Sequence, residues 1–523
     1  MNRPTSSSAE VSRLTQLVPR VLNLIHLRDT RRPFTPPEFW IMTASMDMEH
    51  FISRVVEAAD SLDPHATLPS PRPAPDMSTM FRSTLDPTVM ASGSQVQHVS
   101  DRVIHPALML LKHAPFLIPF DTRVKIFREF VRVDRERLGL GDINRFQPAI
   151  ARATIHRTSI FEDGYTHLNA LGPKLKGKIA IQFVSDQGLT EAGIDGGGVF
   201  KEFLTNLSTR AFDPDAGLFE ITPRNEIAPA RGDYAVQGML SIIQPSLSRT
   251  LRPNHASSIN QPKKLETQLN HFEFLGRILG KALYEGILVN VPFAEFFLSK
   301  WLGRNNYLDD LPSLDAEVYR NLIFLKNYQG RVEDLGVTFS VSKQEFGQTV
   351  SVDLIPSGSS LLVSKETRIK YIYLVANYKL NIQISKQCRS FFKGLSDMID
   401  PRWIQMFSPS ELKLLVCGTG DLDLQDLQRN LVYDGGFSAT HPTILLLWNA
   451  LADFDDAHRR KFIKFVTSAE RAPLLGFKEL YPKFCIRMAG EDVDRLPSAS
   501  TCVNLLKLPA YNTYDQIVSC VFF

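Results

Sequence analysis

Apolar positions in the first part of the chain recur mainly at helical spacing. Two such stretches, Val11–Leu27 and Met48–Leu62, predict amphipathic helices within a segment covering residues 1–62. Five closely spaced prolines then interrupt the pattern and favour an extended backbone, which predicts a linker over residues 63–100. Helical spacing then resumes, so a helical extension is expected over residues 101–170.

Strand and helix patterns mix further along the chain. The run IAIQFV at Ile179–Val184 is rich in β-branched and aromatic residues and predicts a strand. The glycine-rich stretch GIDGGG predicts a tight turn before a helix at Val199–Leu204. Because helical patterns dominate after this turn, the sequence predicts an α+β fold that is mostly helical.

A second, smaller unit is predicted after Cys417-Gly418-Thr419-Gly420. The helical pattern SPSELKLLV ends there, and two glycines within four residues favour a helix end and a pivot. Two helical stripes follow, one with Ile444, Leu447, Trp448 and Leu451, the other with Phe462, Phe465 and Val466.

Composition excludes several classes of protein. A content of 44% hydrophobic and 22% charged residues is ordinary for a folded globular chain. The formal charge of only +3, without a long basic run, argues against a nucleic-acid binder, and no apolar stretch predicts membrane insertion. Five cysteines without CxxC spacing argue against a disulfide framework or a zinc site. We therefore expect a reducing compartment, the cytoplasm or nucleus, and no metal or cofactor.

Cys502 is the cysteine with the most suggestive surroundings. The small polar residues before it resist helix formation, and VNLLKL after it predicts a short strand, so its sulfur is expected on an exposed loop. An ordinary thiol is only a few per cent thiolate at neutral pH, yet thiolate is a strong nucleophile. Backbone N–H groups or Arg495 would give it enough stabilisation to attack an activated thioester.

Other interpretations of this cysteine remain open from the residues alone. Free cysteines are most often small buried hydrophobes with no chemical role. A cysteine hydrolase would need a histidine base, and neither of the local signatures CGSCW and QACRG occurs here.

Five segments, in order, resemble those of HECT-type ubiquitin ligases. They are GLTEAGIDGGGVFKEF, HFEFLGRILGKALYEGILVNVPFAEFFL, LPSLDAEVYRNLIFLK, APLLGFKELYPKFCI and RLPSASTCVNLLKLPAY. The similarity runs from about Ala114 to Tyr514 and is greatest to the branch whose members carry an IQ motif in a distant N-terminal region. No IQ motif is found in this sequence.

This resemblance implies a bilobal domain. A larger, mostly helical N-lobe is expected over residues 171–416 and a smaller α/β C-lobe over residues 420–523. Residues 417–419 would form the hinge between them, and a helical, partly disordered N-terminal region would precede both lobes.

The resemblance also assigns roles to particular residues. Cys502 would be the catalytic nucleophile, with Arg495, Thr501 and Asn504 supporting its loop. A groove for the ubiquitin-conjugating enzyme would be lined by Val318, Leu322, Leu335 and Tyr371. The hinge would consist of Cys417, Gly418 and Thr419.

The implied reaction has two steps. Cys502 accepts ubiquitin from a conjugating enzyme as a thioester, and a substrate lysine then attacks this thioester to form an isopeptide bond. The resemblance also implies a longer tail with a phenylalanine that transfer needs. The residues after Tyr514 do not match that tail, and Phe522 or Phe523 is the available substitute. We therefore expect reduced activity, and an adaptor that binds the conjugating enzyme without transferring ubiquitin is the alternative.

Overall fold

The computed structural model describes most of the chain in two compact units. The described residues are 6–31, 33–36, 38–42, 47–61, 106–140, 149–191, 198–214, 218–222, 224–229, 261–345, 348–419, 422–469 and 471–521. The first unit contains residues up to Gly139 together with Gln405–Phe407, and the second contains the rest. The predicted linker over residues 63–100 lies outside the described residues.

The first unit is helical, as the apolar spacing predicts. Its helices are α1 Ser6–Arg31, α2 Met48–Ser61, α3 Pro106–His113 and α4 Phe120–Arg137. Phe51 and Val55 of α2 are buried, as are Val124 and Phe127 of α4. These two helices pack together, which removes the apolar face of each from water.

A parallel strand pair opens the second unit. Strand β1 (Ala151–His156) pairs with β2 (Ile179–Val184), with Ala151 opposite Ile179 and His156 opposite Val184. The helical extension predicted over residues 101–170 is therefore wrong at β1, where Ala153 and Ile155 are buried between exposed neighbours. This two-residue alternation is the strand period, and pairing with β2 stabilises it over a helix.

The larger, mostly helical lobe follows. Its remaining elements are α5 Ile160–Leu168, α6 Gly198–Ala211, β3 Phe219–Ile221, β4 Ile227–Pro229, α7 Gln261–Glu285, α8 Glu295–Trp301, α9 Ala316–Asn327, β5 Ser340–Glu345, β6 Gln348–Asp353, α10 Arg368–Asn377, α11 Ser385–Met398, α12 Pro401–Ile404 and α13 Pro409–Cys417. Strands β3 and β4 pair antiparallel, as do β5 and β6.

Helices α7 and α11 form the centre of this lobe and pack backbone against backbone. A side chain at Gly276 of α7 would collide with the Phe391 carbonyl, and one at Gly394 of α11 would collide with the Glu273 carbonyl. Arg277 then joins the two helices through Asp397, with Nε 2.6 Å from Oδ2. Small residues at the contact therefore allow an approach that larger side chains would prevent.

The smaller lobe is a four-stranded sheet covered by helices. Its elements are α14 Leu424–Asn430, β7 Val432–Asp434, α15 Pro442–Asp453, α16 Asp456–Thr467, β8 Cys485–Met488, β9 Ser498–Ser500, β10 Leu505–Leu508 and α17 Tyr514–Val521. The strand order is β7-β8-β10-β9, and only the β10–β9 pair is antiparallel.

The predicted stripe on α15 is confirmed, because Ile444, Leu447, Trp448 and Leu451 are all buried. On α16, Phe462 and Val466 of the predicted stripe are buried, whereas Phe465 is 42% exposed.

Candidate functional site

Cys502 lies on a tight turn at the end of a hairpin. Strands β9 and β10 pair from Ser498 opposite Lys507 to Ser500 opposite Leu505, and the 3-10 turn Thr501–Val503 connects them. We call this 3-10 turn, together with Asn504, the cysteine turn. The thiol is exposed, as the sequence predicts for a loop that enters a strand. The sequence did not predict β9, because its serines and alanine have low strand propensity.

Asn504 fixes the end of the cysteine turn. It adopts a left-handed backbone conformation with φ 51°, which asparagine tolerates better than most residues. Its buried side-chain amide donates to the Pro482 carbonyl at 2.6 Å, and its own carbonyl accepts from the Cys485 N–H at 2.9 Å. The turn is thereby tied to the neighbouring strand β8 on the side opposite β9.

The two other predicted supporting residues have different surroundings. Thr501 is half-buried, and its carbonyl accepts from the Asn504 N–H at 3.4 Å, within the turn itself. Among the described residues, the Arg495 guanidinium donates to the Ala489 carbonyl at 3.4 Å and not to the Cys502 sulfur. The Arg495 carbonyl accepts from the Tyr511 hydroxyl at 2.6 Å, so Arg495 contributes to the loop through its backbone.

Burial distinguishes Cys502 from three other cysteines, and all five cysteines lie in the described part of the chain. Cys388 is buried in α11, and burial raises the pKa of its thiol to about 12. Burial likewise raises the pKa of the Cys417 and Cys485 thiols. A raised pKa leaves a smaller fraction of thiolate, and Cys417 is also buried and Cys485 half-buried, so these three thiols are weaker nucleophiles than an exposed one.

The predicted groove residues differ in accessibility. Val318 and Tyr371 are half-buried, and burial raises the pKa of the Tyr371 hydroxyl. Leu335 is 37% exposed, but Leu322 is only 5% exposed. Leu322 thus lies in the lobe core beside Leu325 and not on the surface, and its role in binding the conjugating enzyme remains a prediction.

Six exposed apolar side chains lie on α9, on α10 and on the segment between these helices, and sequence reasoning missed most of them. We call this set the apolar patch: Phe324, Leu335, Leu361, Leu362, Ile369 and Tyr373, which are 37–60% exposed. Ile369 and Tyr373 are four residues apart on α10 and so occupy one helical face. Arg368 joins α10 to the end of α9 through the Tyr328 carbonyl at 2.7 Å. Periodicity could not find these residues, because exposed apolar positions break the amphipathic pattern.

The predicted hinge begins at a helix end. Cys417 is buried, and its thiol donates to the Val291 carbonyl at 3.0 Å. Gly418 then has φ 71° and ψ 178°, a conformation that is almost exclusive to glycine. Arg471 donates to the Thr419 carbonyl at 3.5 Å and to the Asn290 side chain at 2.5 Å. Cys417 is thus anchored in the larger lobe, and the unusual backbone conformation starts at Gly418. Gly420 lies outside the described residues.

Neither a metal site nor a membrane helix is found in the part of the chain that the structure describes. The described residues contain no group of three or more His, Cys, Asp and Glu side chains able to hold a metal ion. In the same part of the chain, no helix combines the length and apolar character needed to cross a membrane.

Comparison with known proteins identifies the family. A family model described as HECT-domain (ubiquitin-transferase) matches residues 205–520. The chain belongs to the HECT-domain family. The two lobes described above therefore form a HECT fold, and Cys502, the apolar patch and the Gly418 segment all lie within the matched range.

Relatives along almost the whole chain carry ligase names. A Schizosaccharomyces pombe protein named a probable E3 ubiquitin protein ligase is 38% identical over 98% of this chain and 45% of its own length. The Arabidopsis thaliana E3 ubiquitin-protein ligase UPL6 is 41% identical over 82% of this chain and 40% of its own length. Human ubiquitin-protein ligase E3B is 36% identical over 97% of this chain and 44% of its own length. The chain thus spans less than half the length of these relatives. Each of these names describes a ubiquitin ligase, and none describes an adaptor or a hydrolase.

Proposed function

We propose that this protein is an E3 ubiquitin ligase that accepts ubiquitin on Cys502 and transfers it to substrate lysines. The observation that carries the proposal is an exposed thiol on a hydrogen-bonded turn within a HECT fold, while Cys388 and Cys417 are buried and Cys485 is half-buried. Thioester exchange needs an accessible thiol more than a strong base, because the donor carbonyl is already activated. A reducing compartment, the cytoplasm or nucleus, suits a nucleophile of this kind.

The first step breaks the thioester bond between ubiquitin's C-terminal carbonyl and the conjugating enzyme's cysteine. The Cys502 thiolate attacks that carbonyl, a new thioester forms on Cys502, and the conjugating enzyme leaves as a thiolate. In the second step a deprotonated lysine amine attacks the Cys502 thioester. An isopeptide bond forms, Cys502 is released, and the amine loses its remaining extra proton to solvent.

The apolar patch is our proposed docking surface for the conjugating enzyme. Phe324 is 60% exposed, and Ile369 and Tyr373 present a second row of apolar surface on the neighbouring helix. Exposed apolar side chains that cluster on packed elements are typical of surfaces that bind a partner transiently. Leu322 lies on the buried face of α9, within the lobe core, and so anchors the helix that carries Phe324.

Reconstitution with activating enzyme, conjugating enzyme and ubiquitin tests the proposal. We expect a ubiquitin adduct of the full chain on a non-reducing gel, and its disappearance on addition of a thiol reductant. Cys502→Ala should abolish the adduct, and Cys485→Ala, the matched control on the neighbouring strand, should keep it. An adduct that survives in Cys502→Ala would show that the nucleophile is another residue.

A further inference from the structure

Helix α6 of the larger lobe packs directly beneath the cysteine turn. A Cβ placed on Gly198, the first residue of α6, would lie 3.2 Å from Thr501 Oγ1 and 3.4 Å from the Cys502 backbone nitrogen. Any larger side chain at position 198 would therefore push the turn away from α6. The contact involves the backbone side of Cys502, and the thiol itself remains exposed.

Lys201, one helical turn further along α6, contacts the smaller lobe a second time. Its ammonium donates to the Thr467 carbonyl at 2.8 Å. Thr467 is the last residue of α16, where helix carbonyls lack intrahelical partners and the helix dipole favours a cation. Helix α16 in turn packs against the cysteine turn and β9. Lys201 thus caps a helix that supports Cys502 from the other lobe.

The burial of Lys201 indicates that this contact is close. Desolvation lowers the pKa of the Lys201 ammonium to about 8, and the Thr467 carbonyl compensates part of the cost of that desolvation. A third contact joins the lobes near the linker, where Arg471 donates to the Asn290 side chain at 2.5 Å. Three separate contacts therefore hold the lobes in one arrangement.

We propose that Lys201, assisted by Gly198, is a positioning residue that holds the cysteine turn against α6 for the transfer step. This inference rests on the proposed ligase function. An exposed sulfur can carry an acyl group without disturbing the α6 contact, because that contact is made by the Thr501 side chain and the Cys502 backbone. Accepting ubiquitin requires instead that the thiol reach a conjugating enzyme on the apolar patch. The patch is formed by α9, α10 and the segments beside them, whereas α6 packs against α5, β2 and α7.

The experiment separates the two chemical steps in the full chain. Cys502 is first loaded with labelled ubiquitin, loading is stopped, and free lysine is added to follow discharge of the thioester. Lys201→Met should slow discharge about tenfold, the cost of one charge-assisted hydrogen bond, while loading changes about twofold or less. Lys201→Arg keeps the charge and the donors, so it should recover discharge to within about threefold of the parent.

Gly198→Val disrupts the packing of α6 against the cysteine turn without removing a charge. It should slow discharge as much as Lys201→Met does. Lys386→Met, at an exposed lysine on α11, is the matched control and should change neither step. Unchanged discharge in Lys201→Met and Gly198→Val would overturn the proposal. An equal slowing of both steps would indicate a structural role only, and faster loading would indicate an inhibitory contact; either result also overturns it.

A distance measurement distinguishes failure of this inference from failure of the ligase function. Energy transfer between dyes at positions 389 and 478, one on each lobe, should fall in Lys201→Met and stay constant in Lys386→Met. If the parent chain forms no thioester, the ligase function fails and the lobe contact is still tested by the dyes. If the thioester forms but the energy transfer is unaffected by Lys201→Met, only the positioning inference fails.

Discussion

Individual residues around Cys502 are held by contacts that substitution can test separately. Asn504 combines a left-handed backbone with a buried side-chain hydrogen bond, and both features end the cysteine turn where β10 begins. The two features contribute independently, because one belongs to the backbone conformation and the other to the side-chain amide.

Substitutions at Asn504 should separate these contributions. Asn504→Ala loses the bond to the Pro482 carbonyl and strains the backbone, so the free energy of unfolding should fall by about 2–4 kcal/mol. Asn504→Gly also loses the amide hydrogen bond but does not strain the backbone. Its free energy of unfolding should therefore lie between those of Asn504→Ala and the parent. Urea unfolding measures both, and identical values for all three proteins would show that the turn does not depend on Asn504.

His271 provides a pH-dependent test of the larger lobe. It is buried edge-on against Tyr165 and Phe161, with ring centroids 4.6 and 5.3 Å away, and burial lowers its pKa to about 4. The unfolded chain binds this proton near pH 6.5 and the folded chain only near pH 4. Stability should therefore decrease as the pH falls through this range.

The variant His271→Leu removes this titration and isolates its contribution. The stability of the parent relative to the variant should drop by about 2–3 kcal/mol between pH 7 and pH 4. Other acidic groups act on both proteins and cancel in the difference. Parallel pH profiles of unfolding would mean that His271 does not stay neutral in the fold.

At the scale of elements, α9 presents one residue to the core and another to solvent. Leu322 is buried and Phe324, two residues later, is 60% exposed, although both are apolar in the sequence. The resemblance predicts that the docking region includes Leu322 of α9, but helix rotation relative to the core decides which side chain of α9 is available. Sequence alone gives that rotation poorly where apolar residues occupy both faces.

Phe324 and Leu322 should consequently respond in opposite ways to truncation. Phe324→Ala should weaken binding of the conjugating enzyme by about 1–3 kcal/mol without changing the unfolding free energy. Leu322→Ala should destabilise the lobe by about 2–4 kcal/mol through a core cavity. Calorimetry and urea unfolding measure the two effects, with Leu189→Ala, an exposed apolar residue in a turn, as control. If Phe324→Ala weakened binding only because the variant unfolds, Phe324 would not belong to the docking surface.

Some helices and strands could be predicted from the sequence pattern and others could not. The apolar stripe of α15 and the strands β2 and β10 followed from periodicity and composition, because each buries a regular set of side chains. Strands β1 and β9 did not. Strand β9 consists of only three small residues, and the alanines and arginine of β1 weaken the strand preference of Thr154 and Ile155, so both strands depend on their partners. Contacts such as Lys201 with Thr467 are separated by 266 positions in the chain, and no local pattern encodes them.

At the scale of the whole molecule, the proposed two-step transfer requires one lobe to move relative to the other. Gly418 is the position where the backbone departs from helix α13, and a Cβ there would lie 2.7 Å from Leu288 Cδ1. A proline at position 418 is incompatible with its positive φ, so alanine is the informative substitution. The hinge role of Gly418 and Thr419 remains a prediction.

Gly418→Ala should disturb the linker and slow transfer by about fivefold to thirtyfold, the equivalent of 1–2 kcal/mol of backbone strain. Affinity for the conjugating enzyme should stay the same, because the apolar patch is untouched. Gly303→Ala is the matched control: Gly303 also has a positive φ, of 67°, but a Cβ there meets nothing within 4 Å. Equal transfer rates for Gly418→Ala and the parent would argue against a hinge at this position.

The chemical nature of the adduct at position 502 shows directly whether Cys502 is the residue that accepts ubiquitin. In a reconstituted reaction, the parent chain should form a ubiquitin thioester that thiol reductants cleave. Cys502→Ser should instead form an oxyester, which resists reductants and is cleaved by hydroxide. Mass spectrometry of the trapped adduct should place ubiquitin on residue 502. A reductant-sensitive adduct that persists in Cys502→Ser, or a trapped ubiquitin on any other residue, would show that Cys502 is not the nucleophile.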